Sequence, residues 1–375
     1  MHALPQGDSM TIKLGVVGVG YLASCLLNGL ALSRRGEEVW TCLNNPVRNE
    51  LDTPLSDIEL KLAFDIDGQK IGKSVSEVMR GYYPSAPAED YQDVEVQKGV
   101  CVECDHVVKN VASIWDDMDR GETEEYIRSK MDDIDVLLIS ATTEPQDALT
   151  SSKVYSLYAL QEGVSVINGI PTKIAGDEEY DYLARENGAV LFGNDFASGA
   201  TPLTHDLLAH LAQHARVPMN IAQWQYASNM DFKSLSESQS RGSAKKESKS
   251  RIIDVAYPGV DIPSYIGIQY IPPMTGTDPS LKGMPILDPD TKRLYLNIIY
   301  RTFAGTTNSL TVTAEISDSP SASVLAADLI RLVDVAKEKG DYVPIEPNSF
   351  YFKSPPKIFP SRTESFNRLL EWLRS

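Results

Sequence analysis

The sequence lacks the features that would place the protein in a membrane, outside the cell or on nucleic acid. No apolar run approaches the length of about 20 residues that a transmembrane helix needs. The first residues, MHALPQGDSMTIK, show no charged leader followed by an apolar run, so we expect a cytoplasmic protein. Lysine and arginine number only 35 against 52 aspartates and glutamates, and this deficit of positive charge disfavours a nucleic-acid partner.

Cysteine is also scarce. The four cysteines, at positions 25, 42, 101 and 104, are too few and too scattered for a disulfide framework in a chain of 375 residues. Cys101, Cys104 and His106 stand together in CVECDH, which supplies part of a tetrahedral zinc site but has no second cysteine pair to complete it. We therefore expect reduced thiols in a loop, and the metal requirement stays open.

Apolar strands alternate with helical segments over the first 216 residues. Near-continuous apolar runs such as TIKLGVVGVG, IDVLLIS, VSVING and GAVLFG are typical of strands buried on both faces of a parallel sheet. Between them, segments such as YLASCLLNGLAL and TPLTHDLLAHLAQHA repeat leucine at helical spacing. This alternation predicts βαβ units and an α/β fold with a Rossmann-like doubly wound parallel sheet.

The first predicted strand leads into a glycine-rich turn, GVGYLA, that has the G-x-G-x-x-A pattern. Glycines in this context let the backbone turn tightly and approach a pyrophosphate at the helix N-terminus. Asp65 follows the second strand and can accept hydrogen bonds from an adenosine ribose, which favours NAD over NADP. It lies further along than the usual ~20 residues, so we expect an insertion around residues 34–58. The predicted NAD-binding residues of this region are Gly18, Gly20, Tyr21, Leu22, Ala23 and Asp65, together with Ser140 at the end of the IDVLLIS strand.

The pattern changes after residue 216. IAQWQYA, YIGIQYI, RLYLNIIYRTF and SLTVTAEISD read as strands of a second, largely antiparallel sheet, and helical patterns return from Pro320. The sequence therefore predicts that residues 11–216 and 320–375 form a discontinuous NAD-binding Rossmann domain. Residues 217–319 are predicted to form an inserted β-rich α+β domain for catalysis and oligomerisation.

Two further segments could bind an anion. Residues 198–201, Ser-Gly-Ala-Thr, open a helix whose free N–H groups and dipole suit an anion, although they would equally serve as an ordinary cap. The stretch 229–251, NMDFKSLSESQSRGSAKKESKSR, concentrates cations in a chain of net charge −17. Serine-rich polar runs of this kind are usually linkers, but the lysines could also focus a negatively charged substrate.

Four sequence blocks resemble the myo-inositol-1-phosphate synthase family, and within it the bacterial and archaeal members. They are NMDF, SAKKESKS, DSPSASVLAADLIR and FKSPP, in family order and at nearly family spacing, and the resemblance runs from about Lys13 to the C-terminus. It implies an isomerase of inositol and phospholipid biosynthesis, usually a homotetramer, that uses NAD catalytically. In that reaction the C5 hydroxyl of open-chain glucose 6-phosphate is oxidised, C6 attacks the C1 aldehyde, and the ring ketone is reduced again.

The resemblance also implies roles for particular residues. It assigns catalytic lysines to Lys245, Lys249, Lys292 and Lys353, and it leaves Lys246 and Arg251 as solvated charges. It places polar groups around the nicotinamide and substrate at Asp195, Asn229, Asp231 and Asp318, and the substrate phosphate at Ser198, Gly199, Ala200 and Thr201. Since an anion must balance these lysines, we expect residues 233–250 to be poorly ordered until the substrate binds.

Some positions depart from the family pattern and leave the substrate open. Ala197 stands where the family often has lysine, and Ala227 and Ser228 stand where a glycine pair is usual. The alternatives are therefore a homologue that makes another carbocycle, for example from fructose 6-phosphate in a natural-product pathway, or a plain NAD-dependent sugar-phosphate dehydrogenase. A non-catalytic sugar-phosphate sensor is a third alternative, which the four lysines disfavour.

Overall fold

The computed structural model describes residues 11–102, 106–109, 120–145, 149–272 and 289–375, without the side chains of residues 106, 107, 120, 121, 244, 245, 248 and 249. The strands are β1 (Ile12–Val17), β2 (Asn44–Asn45), β3 (Arg48–Asn49), β4 (Ile58–Asp65), β5 (Val96–Lys98), β6 (Val136–Ile139), β7 (Ser165–Asn168), β8 (Leu191–Gly193), β9 (Val217–Ala227), β10 (Ser264–Tyr270), β11 (Thr291–Arg301) and β12 (Thr307–Ser317). The helices are α1 (Tyr21–Arg34), α2 (Val75–Tyr82), α3 (His106–Lys109), α4 (Arg120–Met131), α5 (Ser151–Gln161), α6 (Glu178–Glu186), α7 (Ala200–Gln213), α8 (Met230–Glu237), α9 (Gln239–Ala256), α10 (Asp318–Lys339), α11 (Ile345–Tyr351) and α12 (Arg362–Arg374).

Six strands form a parallel sheet in the order β5-β4-β1-β6-β7-β8. The strand order reverses beside β1, because the chain builds outward in one direction through β4 and β5 and in the other through β6, β7 and β8. Ligands of doubly wound sheets bind outside the carboxyl ends of the strands at such a switch point. This topology therefore predicts a site beyond the ends of β1, β4 and β6.

Helices cover both faces of the six-stranded sheet, because its strands are apolar on both sides. One face packs against α1, α10 and α12 through residues such as Leu27, Leu329 and Leu369. The other face packs against α5 and α6 through Tyr155 and Ala184. Helices from the end of the chain thus complete the core that the first strands begin.

The second sheet has the order β10-β9-β11-β12. Its pairs β9–β11 and β11–β12 are antiparallel, but β10 runs parallel to β9, so the sheet is more mixed than the sequence predicted. The helices α8 and α9 lie between β9 and β10 in sequence. They return the chain to the end of the sheet at which β9 began, which makes the parallel pairing possible. The predicted fold class, a doubly wound parallel sheet with an inserted β-rich unit, is confirmed.

The predicted insertion before Asp65 contains the β2–β3 hairpin and is anchored on α10. Arg331, which is buried, donates to Asn44 Oδ1 (2.9 Å), Thr41 Oγ1 (2.9 Å) and Asp328 Oδ1 (2.6 Å). Burial raises the pKa of Asp328, and the charge of Arg331 opposes that rise.

Among the described residues, no helix has the length and apolar character needed to cross a membrane.

Candidate active site

A cavity of about 440 Å³ opens at the switch point of the parallel sheet and extends to the second sheet. Gly18, Asp65 and Ser140 line one end of it, just beyond β1, β4 and β6. Lys292 and Lys353 line the other end. The cavity therefore connects the switch point of the parallel sheet with the lysines beside the second sheet, and its two ends differ in chemistry.

The glycine turn at the first end fits a pyrophosphate. Gly18 has φ +93°, and a Cβ there would lie 3.0 Å from both the Ser140 carbonyl oxygen and the Ala141 nitrogen. A Cβ on Gly20 would meet nothing within 4 Å, so open space lies above the start of α1. No side chain caps the N–H groups of that helix end, which leaves them for an anion. The residues present thus suit a dinucleotide cofactor.

Asp65 is buried and already accepts three hydrogen bonds. They come from the backbone nitrogens of Val19 (2.8 Å) and Asp67 (2.9 Å) and from Lys70 Nζ (2.9 Å). Burial lowers the pKa of Lys70, but the contacts with Asp65 and Tyr82 together raise it further than burial lowers it, so the ammonium stays charged. A carboxylate offers about four acceptor positions, so Asp65 can still accept a ribose hydroxyl. Lys70, however, partly offsets the negative charge on which the predicted exclusion of NADP rested.

The other predicted cofactor residues divide into those that face the cavity and those that support it. Tyr21 and Leu22 line the cavity at the start of α1. Ser140 also lines it, but its hydroxyl donates to the carbonyl oxygen of Gly18 (3.0 Å) and so holds the glycine turn. Ala23 is fully buried and does not line the cavity, which fits a small residue that lets α1 pack closely on the sheet.

The predicted phosphate segment lies at the other end of the cavity, at the N-terminus of α7. A small adjoining pocket there has room for about one water molecule and is lined by Ser198, Ala200 and Thr201 together with Lys292 and Lys353. Gly199 has φ +69°, and its Cβ position would lie 3.5 Å from Asp318 Oδ1. The structure thus brings the four predicted phosphate-binding positions to two of the predicted lysines.

Two lysine–aspartate ion pairs flank this segment. Lys292 Nζ lies 2.5 Å from Asp318 Oδ2, and Ser198 Oγ donates to the other oxygen of Asp318 at 3.2 Å. Lys353 Nζ lies 3.3 Å from Asp195 Oδ1. Both lysines are at most 8% exposed, so each cation is held beside a carboxylate with little surrounding water. Four residues that lie far apart in sequence therefore form one compact charged group.

Local pairing of two distant segments positions Lys353 and Asp195. The backbone nitrogen of Lys353 donates to the carbonyl oxygen of Asp195 at 2.7 Å, and the rings of Phe196 and Phe352 stack with centroids 5.4 Å apart. Asp195 itself has φ +62°, a left-handed conformation that is uncommon for a non-glycine residue. Such backbone strain persists where the surroundings fix it, which is frequent at functional sites.

Asn229 and Asp231 also line the cavity, and each has a local structural partner. Asn229 caps α8 by accepting from the Phe232 nitrogen (3.1 Å). Asp231 accepts from the nitrogen (3.0 Å) and hydroxyl (2.8 Å) of Thr143, which follows β6. Asp231 thereby fastens the lysine-bearing helical segment to the cofactor end of the cavity.

The stretch 229–251 is helical, so its interpretation as a linker is wrong. It forms α8 and most of α9, and its apolar residues Phe232 and Leu235 are buried. Lys245 and Lys249 belong to α9 by their backbone, but their side chains lie outside the described residues. Lys246 is exposed. The roles assigned to Lys245 and Lys249 therefore stay predictions.

Several helix N-termini converge on the cavity, among them those of α1, α7 and α10. The helices α1, α7 and α10 begin at Tyr21, Ala200 and Asp318, and each start lines the cavity or its adjoining pocket. A helix N-terminus carries a partial positive charge from its unpaired N–H groups. Since the chain as a whole has net charge −17, this convergence makes one place suited to anions on an otherwise acidic protein.

Sequence reasoning missed several polar residues that line the cavity. Lys70 partners Asp65, and the buried Arg241 donates to the carbonyl oxygen of Thr143. Asp290 accepts from the nitrogen (2.9 Å) and hydroxyl (2.8 Å) of Ser319, in the first turn of α10. Only Asp290 had a signal, because it lies two residues before Lys292 in DPDTK. The other two lie in ordinary polar surroundings.

The expectation that the cysteines are reduced thiols is wrong for Cys101. Cys25 and Cys42 are free thiols, but Cys101 is disulfide-bonded rather than reduced. Within the described parts of the chain, no cluster of three or more histidine, cysteine or acidic residues is arranged to hold a metal ion. Cys104 lies outside the described residues.

Comparison with known proteins agrees with the sequence motifs. The family model for myo-inositol-1-phosphate synthase matches residues 199–319. The inositol-3-phosphate synthase of Mycolicibacterium smegmatis is 29% identical over 359 residues, covering 92% of this chain and 93% of that protein. The inositol-3-phosphate synthase of Corynebacterium glutamicum is 25% identical over 362 residues, covering 94% and 96%.

Solved structures give the same result for the fold. A myo-inositol-1-phosphate synthase-related protein from Thermotoga maritima superposes with a TM-score of 0.80 at 29% identity, covering 97% of this chain and 98% of that one. The inositol-3-phosphate synthase of Caenorhabditis elegans, at 17% identity and a TM-score of 0.76, shares the fold. The resemblance to the myo-inositol-1-phosphate synthase family is therefore confirmed, and the chain is an enzyme similar to the inositol-3-phosphate synthases.

Proposed function

We propose that the protein catalyses the NAD-dependent, redox-neutral aldol cyclisation of a hexose 6-phosphate, converting glucose 6-phosphate to 1L-myo-inositol 1-phosphate. The observation that carries the proposal is the pair of buried lysine–aspartate contacts, Lys292–Asp318 and Lys353–Asp195, beside the helix start at Ala200. This arrangement lies in the same cavity as the glycine turn. A dehydrogenase alone does not need a cation at more than one reacting oxygen.

The cofactor end would hold NAD through backbone groups. The N–H groups at the start of α1 would face the pyrophosphate, and Asp65 would accept from the adenosine ribose. Bound NAD would supply reversible hydride transfer at C5 of the sugar. Asn229 and Asp231, at the start of α8, would lie around the nicotinamide, because Asp231 accepts hydrogen bonds from Thr143, which follows β6.

The lysines would act on the oxygens of the substrate. When C5 becomes a ketone, the C6 proton becomes acidic, and the enolate formed by its loss attacks the C1 aldehyde. Negative charge therefore develops first on the oxygen at C5 and then on the oxygen at C1, and preorganised cations stabilise both. Lys292 and Lys353, with the predicted Lys245 and Lys249, would supply that charge. One of these lysines in its neutral amine form would accept the proton lost from C6, and a lysine ammonium would donate a proton to the alkoxide that forms at C1.

The carboxylates would keep the cations in place. Asp318 holds Lys292, and Asp195 holds Lys353. Residues 198–201 at the start of α7 would bind the substrate phosphate through backbone N–H groups and hydroxyls. Lys292 and Lys353 line the pocket beside that helix start, so the phosphate would add an anion that draws both lysines toward the substrate.

We also propose that the chain forms two domains and assembles as a homotetramer. Residues 11–216 and 320–375 would form the NAD-binding domain, and residues 217–319 would supply catalytic groups and the contacts of a homotetramer in the cytoplasm. The exposed outer face of the second sheet, which carries Trp224, Tyr265 and Tyr295, supports an oligomeric role for that domain.

Product analysis by NMR tests the reaction. The enzyme is mixed separately with glucose 6-phosphate and fructose 6-phosphate, each with a catalytic amount of NAD, and the products are identified. We expect inositol phosphate from glucose 6-phosphate, with no accumulation of NADH. Accumulating NADH would identify an ordinary dehydrogenase instead, and turnover of fructose 6-phosphate alone would identify a homologue that makes another carbocycle.

A further inference from the structure

The segment that carries Lys353 has a second anchor besides its pairing with Asp195. Arg362 is the first residue of α12, and its guanidinium is buried. Its Nη1 donates to the carbonyl oxygens of Ser349 (3.0 Å) and Phe352 (3.4 Å). These two carbonyls lie at the C-terminal end of α11, immediately before Lys353.

The end of α11 is a natural place for a buried cation. The last carbonyls of a helix have no partners inside the helix and carry partial negative charge, so a guanidinium there satisfies hydrogen bonds and the helix dipole together. Arg362 Cζ also lies 5.0 Å from the centre of the Phe350 ring. Burial lowers the pKa of Arg362 to about 10, and Asp206 opposes that shift, so the side chain remains charged at neutral pH.

Arg362 is in turn fixed to α7, the helix that begins at the predicted phosphate site. Its backbone nitrogen donates to Asp206 Oδ1 at 3.0 Å. His205, which is also buried, contacts the carbonyl oxygen of Pro360 through Nε2 at 3.1 Å. Arg362 thus connects the helix that presents the phosphate loop, through its backbone nitrogen, with the turn that presents Lys353, through its side chain.

We propose that Arg362 is a positioning residue for catalysis, which sets the turn at Phe352 and so holds the ammonium of Lys353 at the substrate end of the cavity. The inference rests on the proposed role of Lys353. Arg362 does not line the cavity, so it acts only through the turn. Since a displacement of about 1 Å at a reacting group can cost 10²-fold in rate, loosening this turn is expected to lower kcat.

The test compares Arg362→Met and Arg362→Lys with Arg368→Met. Arg368 lies on the same helix but is exposed, and it pairs with Glu364 at 2.9 Å. We expect Arg362→Met to lower kcat by about 10- to 100-fold, with the dissociation constant for NAD unchanged. Arg362→Lys restores a cation beside the same carbonyls and is expected to recover much of the loss. Arg368→Met is expected to keep the kcat of the parent enzyme.

A double variant separates positioning from general loss of stability. If Arg362 acts through Lys353, adding Arg362→Met to Lys353→Ala lowers kcat no further than Lys353→Ala alone. A further drop in the double variant, or unchanged kcat in Arg362→Met measured well below its Tm, overturns the inference. If Arg362→Met does not fold, Arg362→Lys decides, and full kcat together with a lowered Tm would then contradict the positioning role. Full activity in Lys353→Ala would instead overturn the proposed function of Lys353.

Discussion

The two ends of the cavity are built in different ways. The cofactor end relies on backbone groups and glycines within one short segment, together with Asp65 from the neighbouring strand. The substrate end relies on charged side chains from segments near residues 195, 292, 318 and 353. The first end therefore depends on local conformation, and the second depends on the whole fold being assembled.

This difference determines which substitutions are expected to lower kcat and which to change cofactor choice. A backbone group cannot be removed by changing its side chain, so the cofactor end tolerates most substitutions that preserve the turn. A charged side chain at the substrate end has no substitute, because its position depends on distant parts of the chain. We therefore expect large effects on kcat from the substrate end and modest effects on cofactor choice from the other end.

The largest effect is expected at Lys353. We expect Lys353→Ala to lower kcat by about 10²- to 10³-fold, since it removes one cation from a preorganised oxyanion site. NAD binding, measured by titration, is expected to remain. The matched control is Lys357→Ala, because Lys357 lies in the same segment but is exposed. Near-full activity in Lys353→Ala would show that the C-terminal segment takes no part in the reaction.

A similar loss is expected at Lys249. The resemblance assigns Lys249 to catalysis and leaves Lys246, three residues earlier on α9, as a solvated charge. We therefore expect Lys249→Ala to lower kcat by about 10²-fold or more and Lys246→Ala to change it little. Steady-state rates of the two variants decide the matter. Equal losses of kcat in the two variants would mean that the lysines of α9 act through their total charge. The assignment of catalysis to Lys249 and not to Lys246 would then be wrong.

A smaller effect is expected at the cofactor end. We expect NAD to bind at least about tenfold more tightly than NADP, a difference of ~1.4 kcal/mol, because Asp65 repels a 2′-phosphate. Lys70→Met removes the cation that offsets Asp65 and is expected to widen the preference, as measured by titration with both cofactors. Lys73→Met, at an exposed position in the same loop, is the control. A preference that narrows in Lys70→Met would remove Asp65 from this role.

The smallest effect is expected outside both ends, in the stability of the protein. Burial and the charge of Arg362 lower the pKa of His205 below its ordinary value of 6.5. The unfolded chain therefore binds the proton more readily, so the stabilisation is present above about pH 6.5 and is lost as the pH falls through the folded-state pKa. We expect His205→Gln to reduce the drop in Tm between pH 7.5 and pH 5.

The exposed His210 supplies the control for that measurement, because it lies on the same helix. We expect His210→Gln to show the same drop in Tm as the parent protein. An identical pH dependence in all three proteins would mean that another group controls acid stability.

The sequence predicted the local features of the molecule well. The apolar runs predicted the parallel sheet, and the glycine turn predicted one end of the cavity, because these signals lie within short segments. The parallel pairing of β9 and β10 was not predictable from strand patterns, since it depends on where α8 and α9 return the chain. Lys70 and Arg241 were missed for a related reason, because nothing in their neighbours indicates that folding brings them to the cavity.

The two lysine–aspartate ion pairs were predictable only in part. Resemblance named Lys292, Lys353, Asp195 and Asp318, but no spacing in the sequence could tell which lysine lies beside which aspartate. The structure supplies that pairing because β12 and α10 bring Asp318 back to the start of β11, and α11 brings Lys353 back to the end of β8. Their catalytic roles stay predictions until the variants are measured.

The late return of the chain to its first sheet has a consequence for biosynthesis. All six parallel strands have been made by residue 193, but α10 and α12, which cover one face of that sheet, end only at residue 374. At ~5–20 residues per second, the ribosome takes roughly 10–40 s to add them, and during that time α1 covers only part of this apolar face. We therefore expect the nascent chain to need a chaperone that shields this face, and a chain that stops before residue 318 to aggregate rather than bind a dinucleotide.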